Sequence, residues 1–298
     1  MKKLISIIGA TGIGKTNLAI TIAQHFQTEI ISCDSRQFFK EMKIGTAMPT
    51  EEELAKVNHH FIGNLSVTDY YSIGQYESEA ILKLQELFQK YNPLVMVGGS
   101  MMYEKAVTEG LNDLPSANEE NQTKLEKIWQ EKGLEELQNM LKALDPEYYA
   151  TVHLENPRRL LRALDVIWQT GKKFSELTHS PTNKRDFEVF RIGIKAPREI
   201  MYERINKRVD LMMENGLLEE VKSLVEYKNL VPLQTVGYTE LFKYLDGEWS
   251  LDFAIEEIKK NSRRYAKRQE TWNRKLTDVH WLAYDYTQED LKELLNKI

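Results

Sequence analysis

Eight residues near the N-terminus, Gly9-Ala10-Thr11-Gly12-Ile13-Gly14-Lys15-Thr16, have the spacing G-x-x-x-x-G-K-[ST]. An apolar run of strand character, Leu4 to Ile8, precedes them. Leu18, Ala19, Ile22, Ala23 and Phe26 follow at helical spacing. In a strand–loop–helix context, loop amides and the helix N-terminus face an anion. Lys15 adds a point charge, and the Thr16 hydroxyl can reach a Mg²⁺ carried on phosphates. The motif predicts a site for a di- or triphosphate, and ATP binding is expected with it. It does not predict hydrolysis.

Asp34 directly follows a second apolar run, Glu29 to Cys33. Ligands of open α/β sheets bind at the carboxyl ends of strands, so Asp34 is placed to take a proton from a nucleophile. Capping a helix or holding Mg²⁺ indirectly are its plainer roles. A third run, Pro93 to Val97, ends in Gly98-Gly99-Ser100, where a P-loop NTPase commonly carries an Asp for Mg²⁺. Two glycines there let the backbone approach a ligand closely.

Arg204 and Arg208 stand four apart on a helix expected to end near Gly216. They can reach a diphosphate, or be surface residues beside an i, i+4 ion pair of Glu203 and Lys207. Arg158, Arg159 and Arg162 open another helix, with Asp165 as a local partner for Arg162. From Lys259 to Lys275 the chain is basic. Lys260, Arg264, Lys267 and Arg268 share one helical face; Tyr265, Gln269 and Trp272 share its neighbour. Cations beside aromatics fit an RNA backbone and stacked bases. A solvated basic helix with its aromatics on the core is the alternative. His59-His60 has no companion His/Cys cluster and reads as loop or packing.

The elements that must position these residues alternate β and α up to about residue 110, with a long loop at about 40 to 72 and a helix near Gln75–Lys90. Short apolar strands imply a parallel sheet covered on both faces. From 112 to 185 only helical stripes appear: Leu125, Ile128 and Trp129; Leu134, Leu137, Leu141 and Leu144; Leu160, Leu161, Leu164, Ile167 and Trp168. Strand character returns at Phe187–Ile194 and at Asp278–Leu282. The expected fold is α/β: a P-loop-type parallel sheet flanked by helices, formed by 1–111 and 186–298, with an all-helical insert at 112–185. A single cysteine, Cys33, excludes an intramolecular disulfide and a cysteine-rich zinc site. The net charge of −5 argues against binding nucleic acid over the whole surface, but not in a local groove. No run approaches the ~20 apolar residues of a membrane span, and a cytoplasmic location is expected.

Further segments accompany the phosphate loop in order: Asp34-Ser35-Arg36-Gln37; Ile44-Gly45-Thr46-Ala47-Met48-Pro49; Val97 to Tyr103; Leu114-Pro115; Asn156 to Leu164; Gln234-Thr235-Val236-Gly237-Tyr238; and Ala266-Lys267-Arg268-Gln269 with Trp272. The series, spanning nearly the whole chain, resembles the tRNA dimethylallyltransferase family. The resemblance implies transfer of a dimethylallyl group from dimethylallyl diphosphate to N6 of adenosine 37, beside the anticodon. It makes Asp34 the general base, and Thr16 and Arg208 stabilisers of the departing diphosphate, with Mg²⁺ on Thr16. It puts Ser35, Arg36, Gln37, Ser100, Arg158, Arg159, Arg162, Gln234, Gly237, Lys267 and Arg268, with Asp34, against tRNA. The insert then grips the anticodon stem-loop. Separately from the resemblance, a monomer is expected. Two positions depart from the family's pattern: Phe39 lacks a Tyr hydroxyl, and Met48 replaces a Lys. A transferase acting on free AMP, ADP or ATP, a small-molecule kinase and a non-catalytic RNA-binding module are the alternatives.

Overall fold

The computed structural model describes residues 1–178 and 184–298. These residues divide into two compact units, Met1–Thr108 with Arg185–Ile298, and Glu109–Lys184.

The first unit starts with β1 (Lys3–Gly9), the phosphate loop and α1 (Lys15–Phe26), then β2 (Ile30–Ser32). The stretch expected as a loop between 40 and 72 instead holds α2 (Glu51–Lys56) and β3 (His59–His60). The sequence carries a signal for the helix. Thr50 accepts from the Glu53 N–H, and the Glu53 carboxylate accepts from the Thr50 N–H, a reciprocal cap that starts a helix. α3 (Ile73–Leu87) opens with the same device, Ser72 and Gln75. β4 (Leu94–Val97) and α4 (Met101–Thr108) follow.

The second unit contains α5 (Glu119–Lys132), α6 (Leu134–Leu144), α7 (Pro146–Thr151), α8 (Pro157–Thr170) and α9 (Phe174–Thr178). The chain returns to the first unit with β5 (Glu188–Lys195), α10 (Arg198–Glu214), α11 (Leu217–Ser223), α12 (Tyr238–Leu245), α13 (Leu251–Asn273), β6 (Val279–Ala283) and α14 (Gln288–Leu295). Residues 179–183, near the end of the expected insert, lie outside the described residues.

The six strands form one parallel sheet in the order β3-β2-β4-β1-β5-β6. β1 is central, paired Leu4↔Leu94 to Ile7↔Val97 on one side and Lys3↔Glu188 to Gly9↔Ile194 on the other. Side chains alternate between two cores. Leu4, Ile31, Leu94 and Met96 face one; Ile5, Ile7, Ile30, Val95 and Ile192 face the other, under α1 and α14. Burial on both faces is why these strands read as continuous apolar runs.

In the second unit, Leu125, Leu137, Leu141, Leu160, Leu164 and Ile167 form a separate core, and no strand occurs among its described residues. Trp129, Leu144 and Trp168, at the edges of the expected stripes, stay exposed. Asp145 is fully buried because two backbone N–H groups, of Tyr148 and Ser175, and the Ser175 hydroxyl donate to it.

Candidate active site

The phosphate loop leaves the centre of the sheet at Gly9. Gly12 (φ 77°) and Gly14 (φ 108°) hold backbone conformations that side-chain-bearing residues rarely adopt, which lets the loop curl ahead of α1. Lys15 Nζ donates to the carbonyls of Gly9 and Ala10, at 3.1 and 2.8 Å. Burial of its ammonium, opposed by the Asp34 charge and reinforced by Arg208, lowers its pKa to about 8. Arg204 Nε donates to the Gly12 carbonyl at 3.0 Å, and Arg208 approaches the Thr11 hydroxyl at 3.5 Å. Burial pulls the Arg208 pKa below its ordinary value, while Asp34 and Glu53 act the other way. The expected Glu203–Lys207 pair is not formed among the described residues; both side chains line the cavity instead.

Asp34 stands immediately beyond β2. Its Oδ1 accepts from the Arg36 N–H at 3.2 Å and its Oδ2 from the Gly99 N–H at 3.1 Å. The two glycines after β4 serve this geometry. A Cβ on Gly98 would lie 2.4 Å from the Cys33 carbonyl carbon, so β4 can press against the end of β2 only through a glycine. Both glycines also line the large cavity, so the close approach expected toward a ligand is accompanied by one to the protein's own chain.

Helical spacing puts Gln269 in an RNA-facing stripe, but the structure does not. The residue is 1% exposed and turned inward. Its Nε2 donates to the Gly99 carbonyl at 2.8 Å, and its Oε1 accepts from the Thr11 N–H at 2.8 Å. Tyr265 also donates to the Gly99 carbonyl, at 2.7 Å. One side chain of α13 therefore ties the phosphate loop to the segment that aims Asp34. The Lys267 and Arg268 side chains point outward, and with Arg264, Trp272 and Lys275 they line an open basic groove.

A cavity of about 670 Å³ is lined by Lys15 and Thr16 of the phosphate loop together with Asp34, Gly99 and Arg208. A second, of about 270 Å³, shares Asp34 and Arg208 and is walled by Ile205, Val209, Met212, Val236 and Ile258.

The remaining expected contacts fall in several places. Ser35 N–H donates to Ser100 Oγ at 2.9 Å, and both border the smaller cavity with Arg36 and Gly237. Arg36 donates to the Val231 carbonyl. Gln37 donates to the carbonyls of Thr46 and Ala47, holding Ala47 at a positive φ of 48°. Gln234 donates to the Lys228 carbonyl. In the second unit, Arg158 and Arg159 are exposed. Arg162 pairs with buried Asp165 at 3.0 Å and also donates to the Pro115 carbonyl, so its local structural role is real. Phe39 is core, and Met48 lines the large cavity. His59 and His60 form the edge strand; His60 lies 2.6 Å from Glu29. Among the described residues no group of three or more His, Cys, Asp or Glu could hold a metal ion.

The family described as IPP transferase matches residues 37–276, four-fifths of the chain. The chain belongs to the tRNA dimethylallyltransferase family. A protein of Christiangramia forsetii named tRNA dimethylallyltransferase is 53% identical over 288 residues, covering 97% of this chain and 95% of that one. One from Bacteroides thetaiotaomicron, tRNA dimethylallyltransferase 1, is 46% identical over 294 residues, covering 99% and 96%. Among solved structures, the tRNA isopentenylpyrophosphate transferase of Bacillus halodurans is 35% identical with a TM-score of 0.72, covering 100% of this chain and 94% of that one. A eukaryotic dimethylallyltransferase described as acting on tRNA is 28% identical with a TM-score of 0.85, covering 100% and 78%. The family match begins after the phosphate loop and Asp34, but the relatives align through both.

Proposed function

We propose that the protein transfers a dimethylallyl group from dimethylallyl diphosphate to N6 of adenosine 37 in tRNA, releasing diphosphate. The observation that carries this is one cavity lined both by an anion-binding loop and by a backbone-aimed carboxylate. A kinase can also set a carboxylate beside its phosphate loop; the apolar cavity that shares Asp34 and the chain's family favour transfer of an allylic group.

Adenine N6 is a weak nucleophile because its lone pair is delocalised into the ring. Asp34 takes the N6 proton as the N6–C1 bond forms and the C1–O bond breaks, with the bonding pair leaving on diphosphate. General-base assistance of this kind contributes ~10²–10⁴-fold. The loop amides, Lys15, Thr16 and Arg208 stabilise the charge that develops on the leaving group. The apolar wall of the smaller cavity suits a five-carbon allylic tail. The donors present fit a divalent cation carried by the diphosphate rather than a resident metal, with the Thr16 hydroxyl as the protein ligand. Mg²⁺ bound there would neutralise phosphate charge.

The exposed Lys267 and Arg268 supply phosphate contacts for RNA. Ser35, Arg36, Gln37, Ser100, Gln234 and Gly237 sit around the acceptor, and the helical unit with Arg158 and Arg159 grips the anticodon stem-loop. We place the enzyme in the cytoplasm as a monomer. No helix among the described residues is long and apolar enough to cross a membrane.

The test is transfer of labelled dimethylallyl from its diphosphate, with Mg²⁺, to an anticodon stem-loop, with AMP and ATP as competing acceptors. Label in the stem-loop is expected. Label only in free nucleotide, or in no acceptor, would overturn the reading.

A further inference from the structure

A third cavity, of about 420 Å³, meets the phosphate loop through Gly9, Ala10 and Ile13, which do not line the diphosphate cavity. It lies between the end of α13 and the ends of β5 and β6, and no step of the transfer uses it.

Three features line it. Trp281 is the register partner of Gly193, and a Cβ on Gly193 would stand 2.5 Å from its ring. The indole therefore lies directly on backbone, and 38% of the residue remains exposed at the cavity. Asn273 is only 5% exposed, yet among the described residues nothing hydrogen-bonds its side-chain amide, and that amide is not sealed from solvent. Lys195 and Arg274, both exposed at the rim, form no ion pair among the described residues. Glu270, one turn before Arg274, adds a carboxylate acceptor to the same wall.

A fixed aromatic platform, a side-chain amide offering both donor and acceptor, and free cations are what a nucleotide requires. A platform stacks the base. An Asn amide pairs with the adjacent acceptor and amino donor of adenine. Lysine and arginine take the phosphate. We propose that this cavity binds an adenine nucleotide: base on Trp281, base edge on Asn273, phosphate between Lys195 and Arg274. The nucleotide comes either free or as an unpaired adenosine of an RNA strand.

The experiment is equilibrium dialysis of the full chain with labelled AMP, GMP and a short oligoadenylate. It compares wild type with Lys15→Ala, Trp281→Ala, Asn273→Ala and the double variant Lys195→Ala/Arg274→Ala. Thermal unfolding serves as the check on folding. AMP binding should survive Lys15→Ala, exceed GMP binding, and weaken about tenfold in Trp281→Ala. Oligoadenylate binding with the same variant pattern, but without AMP binding, would assign the site to RNA. AMP and oligoadenylate binding that is lost in Lys15→Ala, or unchanged in Trp281→Ala and Asn273→Ala, overturns the proposal. So does equal binding of GMP.

Discussion

Gly99 donates its backbone N–H to Asp34 Oδ2 at 3.1 Å, and a Cβ on Gly99 would stand 2.9 Å from that same oxygen. The carboxylate is therefore aimed by a donor that only a glycine can bring so near. Gly99→Ala is expected to displace the carboxylate and lower the single-turnover rate by about 10²-fold, the cost of a misplaced catalytic group. Affinity for tRNA should hold. An unchanged rate would show that the Gly99 contact does not set the position of the base.

Asp34→Ala removes the proton acceptor itself. The chemical rate should fall at least ~10²-fold with tRNA affinity nearly unchanged. A rate within about threefold of wild type would take Asp34 out of the base role.

Gln269→Ala leaves the Thr11 N–H without its acceptor, while the Gly99 carbonyl keeps the Tyr265 hydroxyl. An unsatisfied buried group costs ~1–3 kcal/mol, so a lower Tm is expected. Loosening the tie between the phosphate loop and Gly99 should also weaken inorganic diphosphate binding in calorimetry. A fall in Tm with diphosphate affinity intact would confine Gln269 to stability.

Lys15 has its pKa lowered to about 8 from the ordinary 10.5. Between those values the unfolded chain holds a proton that the free folded protein has released, so Lys15 makes stability rise with pH across that window. Below it both states are charged and the burial penalty is complete. Diphosphate favours the charged form, so binding above pH 8 should take up a proton. Affinity should fall as pH rises through about 8. Calorimetry in buffers of different ionisation enthalpy measures the uptake, which should vanish in Lys15→Ala.

Lys267 and Arg268 project from α13 on the side away from Gln269. Replacing both with Ala should weaken tRNA binding. It should also flatten the dependence of log K on log salt, by up to ~0.9 for each phosphate that is no longer neutralised. An unchanged slope would return that face to the role of a solvated helix surface.

Much of this architecture is legible in the chain because its signals are local. The loop spacing, the apolar runs of β1, β2 and β4, and the stripes of Leu137, Leu141, Leu160 and Leu164 depend only on neighbours a few residues away. The Thr50–Glu53 cap is equally local. It is harder to see because its glutamates resemble any solvated acidic run.

Residue type and spacing suffice to specify a phosphate loop, a carboxylate at a strand end and a basic helix. The folded chain alone reveals that Gln269 turns from the RNA face to Thr11, 258 residues away in the chain. Helical periodicity says which side chains share a face, but not what that face will meet. The same holds for Gly98, whose missing side chain makes room for Cys33, and for Gly193, whose missing side chain seats Trp281. Close packing between distant segments selects those residues, and no pattern within either segment records it.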